Sequence, residues 1–196
     1  MASQRTRFAK QLFGAIAPQY DRMGAVLSLG QELRWRRFLV SRANAIPGSW
    51  VLDVATGTGL VARELARRRN VRIIGLDQSE PMLRRGVQAV KKEGLEGRIS
   101  FVLGQTEKLP FPEEAFDSVT FTYLLRYVDD PQATLAELAR VVKPGGRAAA
   151  LRRARGPGQA GRSGPPGVLV GEMGGHRRSR LHALVVAVAL PAHMSR

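Results

Sequence analysis

Residues 51–77 read VLDVATGTGLVARELARRRNVRIIGLD, and three patterns follow one another there. VLDVA is an apolar run broken only by Asp53, as expected of a strand covered on both faces. A glycine-threonine-glycine turn, Gly57 to Gly59, interrupts it, and LVARELARRRN then spaces its apolar residues along one face of a helix. VRIIGLD is a second apolar run, ending on Asp77. Strand, glycine turn, helix and strand in this order predict a βαβ unit with parallel strands.

The alternation continues outward. A helix is predicted over SEPMLRRGVQAVKKEG (79–94), with Ser79 as cap and Pro81 in its first turn. RISFVLGQ (98–105) and FDSVTFTYLL (116–125) are a third and a fourth strand. DDPQATLAELARVV (129–142) is a helix halted by KPGG, and RAAAL (147–151) is a fifth strand. Upstream, Leu12, Phe13, Ile16 and Tyr20 share one helical face, while Leu33, Phe38 and Leu39 suggest another helix. Trp35 and Trp50 are read as core residues. No internal repeat is visible. The pattern predicts an α/β fold, a doubly wound and mostly parallel sheet whose C-terminal strands are missing or atypical. It divides the chain into an N-terminal helical lid (1–48), an α/β domain (49–151) and an Arg/Gly/Pro-rich tail (152–196) read as poorly ordered.

Composition narrows the function classes. The 196 residues include no cysteine, which excludes disulfides, thiolate metal sites and a thiolate nucleophile, and fits a reducing cytoplasm. The longest apolar run, ALVVAVAL (183–190), is far too short to span a membrane. Of the net charge of +15, +7 sits in residues 151–196, where eight arginines face only Glu172. The three histidines, His176, His182 and His193, also lie there without a second ligand type, so no metal site is expected. The change after Leu151 is abrupt and brings no aromatic residue to stack on bases. It reads as a shifted frame or divergent terminus in a GC-rich gene, ahead of a basic arm for anionic lipid or nucleic acid. The fifth strand would then be left with an open edge.

In an open α/β sheet, ligands bind beyond the carboxyl ends of the strands, where the strand order reverses. Gly57 and Gly59 stand at such an end, where a side chain would hold a ligand away from the backbone. Asp77, closing the second strand, is placed to accept hydrogen bonds from both hydroxyls of a ribose. A nucleoside ligand follows, and two kinds compete. GTGLVA, with Ala62 in last place, satisfies the dinucleotide pattern G-x-G-x-x-G/A, so a nicotinamide cofactor stands as one reading. Three features favour S-adenosylmethionine. Helices precede the first strand and offer a roof. Asp53 lies inside that strand, where it can orient the loop amides and a ligand's amino group, whereas a pyrophosphate gains nothing from an acid there. GQTEKLPFPEEAFD (104–117) offers polar groups to an adenine edge after the third strand.

FGAIAPQYDRMGAVLSLGQELRWRR (13–37), VLDVATGTG, GLDQSEPML, LPFPEEAFDSVT and LARVVKPGGR, in this order and spacing, resemble the class I S-adenosylmethionine-dependent methyltransferases. Within them the chain is similar to the ubiquinone/menaquinone biosynthesis C-methyltransferase family over about residues 8–150. The resemblance implies that Thr58 lines the methionine end of the cofactor and Asp77 holds the ribose. Gln105 and Thr106 would flank the adenine, and Thr122 would close the site. Gly24, Leu60 and Gln105 depart from the family's common residues, and LLRYV (124–128) keeps Arg126 in a changed setting.

The implied activity is methyl transfer to a small-molecule acceptor, C-methylation of a quinol or phenol such as demethylmenaquinol. Tyr20 and Asp21 in YDRM are candidates to reach the acceptor from the lid, and Arg126 to stabilise a phenolate. Their plainer readings are packing for Tyr20, a turn cap for Asp21, and an ion pair with Asp129 or Asp130 for Arg126. The expected location is cytoplasmic, with peripheral membrane contact through the basic tail as an option and no nucleic-acid partner. A small-molecule methyltransferase of another acceptor class, a nicotinamide-dependent oxidoreductase and a cofactor-binding remnant without turnover are the alternatives.

Overall fold

A computed structural model of the chain describes residues 31–43, 45–155, 163–173 and 186–188. The helix expected over Leu12, Phe13, Ile16 and Tyr20 lies outside them. In chain order come α1 (Gln31–Arg42), β1 (Trp50–Val54), α2 (Leu60–Arg68), β2 (Arg72–Asp77), α3 (Glu80–Lys92), β3 (Ile99–Leu103) and β4 (Phe116–Thr122). A 3-10 turn (Leu124–Arg126), α4 (Pro131–Arg140), β5 (Val142–Arg155), β6 (Ser163–Met173) and β7 (Val186–Val188) follow. The sheet order is β3-β2-β1-β4-β5-β6-β7. Strands β1 to β5 pair in parallel, as the alternation predicts.

Alternation along each strand sends side chains to opposite faces, and both faces are covered. Val51 and Ile73 pack with Leu39 and Val40 of α1, Leu65 of α2 and Val90 of α3. Leu52, Val54 and Leu76 turn the other way, joining Phe116, Val119 and Leu138 of α4. Strand order reverses between β1 and β4, since the chain runs β1 to β2 to β3 on one side and crosses back to β4 on the other. A crevice at the carboxyl ends of β1 and β4 is therefore dictated by topology.

Several expectations are corrected. The helix suggested by Leu33, Phe38 and Leu39 is α1, although Leu33 itself is exposed and Leu39 and Val40 are its buried residues. Trp50 is not a core residue: it opens β1 on the surface, where the Arg72 guanidinium lies 5.4 Å from its ring centroid. Helix α4 ends at Arg140, and β5 begins at once by pairing Val142 with Phe116. KPGG is an irregularity inside that strand, with Gly145 at φ 75°, after which Arg147 pairs with Ser118.

The tail is not a linker throughout, and β5 has no open edge. Strand β5 runs on to Arg155, and β6 pairs antiparallel along it from Gly146↔Met173 to Arg155↔Ser163. The physical reason is the demand of an edge strand for partners, met here by a segment containing the β-branched run GVLV. Pro165 and Pro166, which lack an N–H, fall where β7 does not reach, since β7 pairs only with Val168 to Val170.

Candidate functional site at the carboxyl ends of β1 and β2

After Val54 the chain must leave the sheet, turn and start α2 within five residues. Ala55 takes a left-handed conformation, φ 54°, and Gly57 and Gly59 follow at φ 58° and 75°. The turn is tied down from two sides. The N–H of Thr56 donates to the carbonyl of Leu76 in β2 (3.1 Å), and that of Gly59 to the carbonyl of Thr56 (2.9 Å). Left-handed backbone at a non-glycine residue costs energy and persists only where its surroundings enforce it. Tyr123, just beyond β4, is a second such residue at φ 57°, so both strands flanking the reversal end in it.

Asp53 faces the turn from within β1 and is only 2% exposed. Its Oδ2 accepts from the hydroxyl of Thr56 (2.6 Å) and its Oδ1 from that of Thr120 (2.7 Å), the residue paired with it on β4. Burial pushes its carboxyl up to about 6, against bonds from Thr56, Thr120 and the backbone of Ala62, while the nearby Asp77 adds to the rise. With its oxygens engaged by protein donors, Asp53 orients the turn and the start of α2.

Asp77 is differently placed. It is half-buried at the end of β2, with Oδ2 accepting from the N–H of Gly57 and Oδ1 from that of Ser79, both at 2.8 Å. Burial raises its pKa, against the backbone donors of Ser79, Gly57 and Gln78. A carboxylate offers about four lone pairs, so with these three donors engaged it keeps room for a further one. Ser79 occupies the cap position of α3, but its hydroxyl makes no capping bond.

The two glycines of the turn have different reasons. A Cβ on Gly57 would meet only Met82 Cε at 3.5 Å, an ordinary contact, so its backbone is what the position needs. A Cβ on Gly59 would stand 2.8 Å from Phe101 Cζ. Gly75 and Gly86 face the same ring, with Cβ positions 2.8 Å from Phe101 Cδ1 and Cζ. Gly59 therefore also makes room for Phe101 of β3, a packing demand beside its place in the turn.

The other expected residues gather at the same end of the sheet. Thr58 is buried in the turn, and Thr122 is half-buried at the end of β4. Gln105 is exposed and Thr106 buried in the loop after β3, whose start is fixed by the N–H of Gly104 donating to the carbonyl of Asp77 (3.0 Å). Arg126 is exposed on the 3-10 turn beyond β4. Asp130 is committed to capping α4 through the N–H groups of Gln132 and Ala133, both at 2.9 Å, rather than to Arg126. Tyr20 and Asp21 lie outside the described residues. Thr56 and Thr120 escaped the sequence reading, although hydroxyls at positions able to satisfy Asp53 were the signal. Among the described residues no group of acids or histidines is arranged to hold a metal.

The sequence profile of the ubiE/COQ5 methyltransferase family matches residues 1–157. The ubiquinone/menaquinone biosynthesis C-methyltransferase UbiE of Geobacter sulfurreducens is 44% identical over 144 residues, covering 72% of this chain and 56% of that protein. The demethylmenaquinone methyltransferase of Renibacterium salmoninarum is 41% identical over 136 residues, 69% of this chain and 54% of its own. The chain thus spans little more than half the length of these relatives. Among solved structures, the [4+2]-cyclase SpnF superposes with a TM-score of 0.70 at 22% identity, over 77% of this chain and 62% of that one, a likeness of fold alone.

Proposed function

This chain belongs to the ubiE/COQ5 methyltransferase family, and from that premise we propose that it transfers a methyl group from S-adenosylmethionine to a small-molecule acceptor. The acceptor class we infer is a quinol or phenol such as demethylmenaquinol, methylated on a ring carbon. The relatives named as menaquinone and ubiquinone biosynthesis methyltransferases support that class.

The observation that carries the reading is Asp77. Its carboxylate is held at the crevice by the backbone of Gly57, Gln78 and Ser79, with acceptor capacity left for a ribose hydroxyl. A second carboxylate, Asp53, lies behind the same turn. Asp77 serves a ribose of either kind of ligand, whereas the buried Asp53 carboxylate favours a positively charged end over a pyrophosphate and so supports a sulfonium donor.

When bound, S-adenosylmethionine supplies a methyl group already activated by its sulfonium, so the protein's task is alignment. Alignment of this kind contributes roughly 7–11 kcal/mol of barrier reduction when donor and acceptor are held in line. In this reading Asp77 holds the ribose, the turn from Gly57 through Thr58 to Gly59 shapes the space for the methionine end, and Asp53 keeps that turn rigid. Gln105 and Thr106 flank the adenine, and Thr122 closes the crevice. Arg126 stabilises the phenolate that makes the ring carbon nucleophilic, and Tyr20 and Asp21 approach the acceptor from the N-terminal segment. Among the described residues no helix is long and apolar enough to cross a membrane; a cytoplasmic location, meeting a membrane-borne quinol at the surface, belongs to the same proposal.

One fold hosts many chemistries, so turnover is the decisive readout. Purified protein incubated with methyl-labelled S-adenosylmethionine and chemically reduced demethylmenaquinone should yield labelled menaquinol. Tight donor binding without label transfer to any quinol or phenol would leave only a binding protein and overturn the proposal.

A further inference from the structure

We propose that Glu137 and Arg140 of α4 are positioning residues for the loop that reads the nucleobase of the methyl donor. The inference rests on the donor reading above and names the device that sets its base specificity.

The loop after β3 runs from Gly104 to Pro112 and has no regular structure of its own beyond the bridge between Gln105 and Lys108. Such a segment holds a base edge in place only if both of its ends are fixed. The first end is fixed by main chain, through Gly104 and Asp77. The second is fixed by α4. Glu137 Oε1 accepts the N–H of Leu109 at 2.8 Å. Arg140 donates through Nη2 to the carbonyl of Leu109 (3.3 Å) and through Nη1 to that of Phe111 (3.0 Å). The two side chains lock each other in a two-pronged pair, Nε to Oε2 and Nη2 to Oε1, both at 2.8 Å. Leu109 is buried, and the Phe111 ring meets Phe116 edge-on with centroids 5.0 Å apart.

An ordinary surface pair four or fewer residues apart on a helix contributes little. This pair differs because it also satisfies three backbone groups of a loop about 30 residues away in sequence. Its planar fork is suited to that arrangement in a way a lysine's ammonium is not. Releasing it frees the stretch just after Gln105 and Thr106, and a misplacement of about 1 Å is enough to lose a directional hydrogen bond. The consequence falls on the base edge, while the ribose, held by Asp77 at the other end of the loop, is unaffected.

The test compares S-adenosylhomocysteine with S-inosylhomocysteine, which exchanges only the base edge. Dissociation constants are measured for the wild type, Arg140→Lys, Glu137→Gln and Asp77→Asn, each first shown to melt cooperatively. The expected result is that the wild type prefers the adenosyl ligand, and that Arg140→Lys and Glu137→Gln lose about tenfold of that preference, equivalent to about 1.4 kcal/mol. Asp77→Asn should weaken both ligands together and keep the ratio. A preference unchanged in folded Arg140→Lys and Glu137→Gln, or absent from the wild type, would overturn the inference alone. A wild type that binds neither ligand would overturn the donor reading, and this inference with it.

Discussion

At Asp53 the sign of a single titration is informative. Its carboxyl is raised from the ordinary 3.8 to about 6 by burial, so the folded state holds the proton more tightly than the unfolded chain. Stability from this group is greatest below pH 3.8 and is lost as pH climbs through about 6, a loss on the order of 3 kcal/mol at neutral pH. Asp53→Asn removes the titration while keeping the side chain's shape. Denaturant melts from pH 4 to pH 7 should show the variant gaining stability relative to the wild type as pH rises. A constant offset across that range would show that Asp53 is ionised without cost. The role of Asp53 was only half legible in the sequence. An acid inside an apolar strand signals a buried polar need, but the donors that meet it, Thr56 and Thr120, come from a turn and from a strand 67 positions away. Asp77 was legible because a strand ending in an acid after a glycine turn is a local pattern.

Among the elements, β3 and α3 are bound to the glycine turn by one ring. Phe101 lies against Gly59, Gly75 and Gly86, and a Cβ at any of them would come within 2.8 Å of it. Gly86 is inside α3, where helix propensity alone predicts that alanine would stabilise by about 0.8–1 kcal/mol. Overpacking predicts the opposite, a loss of roughly 1–3 kcal/mol, because a ring hemmed in on three sides cannot swing away. Packing should win: Gly86→Ala should lower the melting temperature, and adding Phe101→Leu should recover part of the loss. A variant melting above the wild type would show that the ring has room. The elements themselves were readable from periodicity, from apolar strands and from capping residues, since these depend on neighbours in sequence. The packing demand on Gly59 was not, because the atom that crowds a side chain there belongs to β3. Trp50 misled for a similar reason: an aromatic beside an apolar run reads as core, and only the position of β1's first residue at the sheet's end leaves it outside.

For the whole molecule, the C-terminal segment matters as backbone. Strand β6 covers β5 from Gly146 to Arg155, and β7 adds to β6. The richness of the tail in glycine, proline and arginine concealed this, although GVLV and LVVAVAL carry the composition of strands. Truncation after Leu151 would expose the edge of β5, and the truncated protein should melt at a lower temperature and self-associate in size-exclusion chromatography. A monomer as stable as the full chain would mean that β6 contributes nothing to the sheet. Donor binding, proposed above to depend on β1, β2 and the loop after β3, should survive in the fraction that stays folded. The account of that crevice is tested most directly by calorimetric titration of S-adenosylhomocysteine into the wild type and Asp77→Ala, with NAD(H) as the competing ligand. Loss of a charge-assisted hydrogen bond to the ribose predicts a weakening of roughly tenfold or more in the variant, and no heat from NAD(H) in either protein. Equal affinity of the two proteins for S-adenosylhomocysteine, or binding of NAD(H) alone, would contradict it.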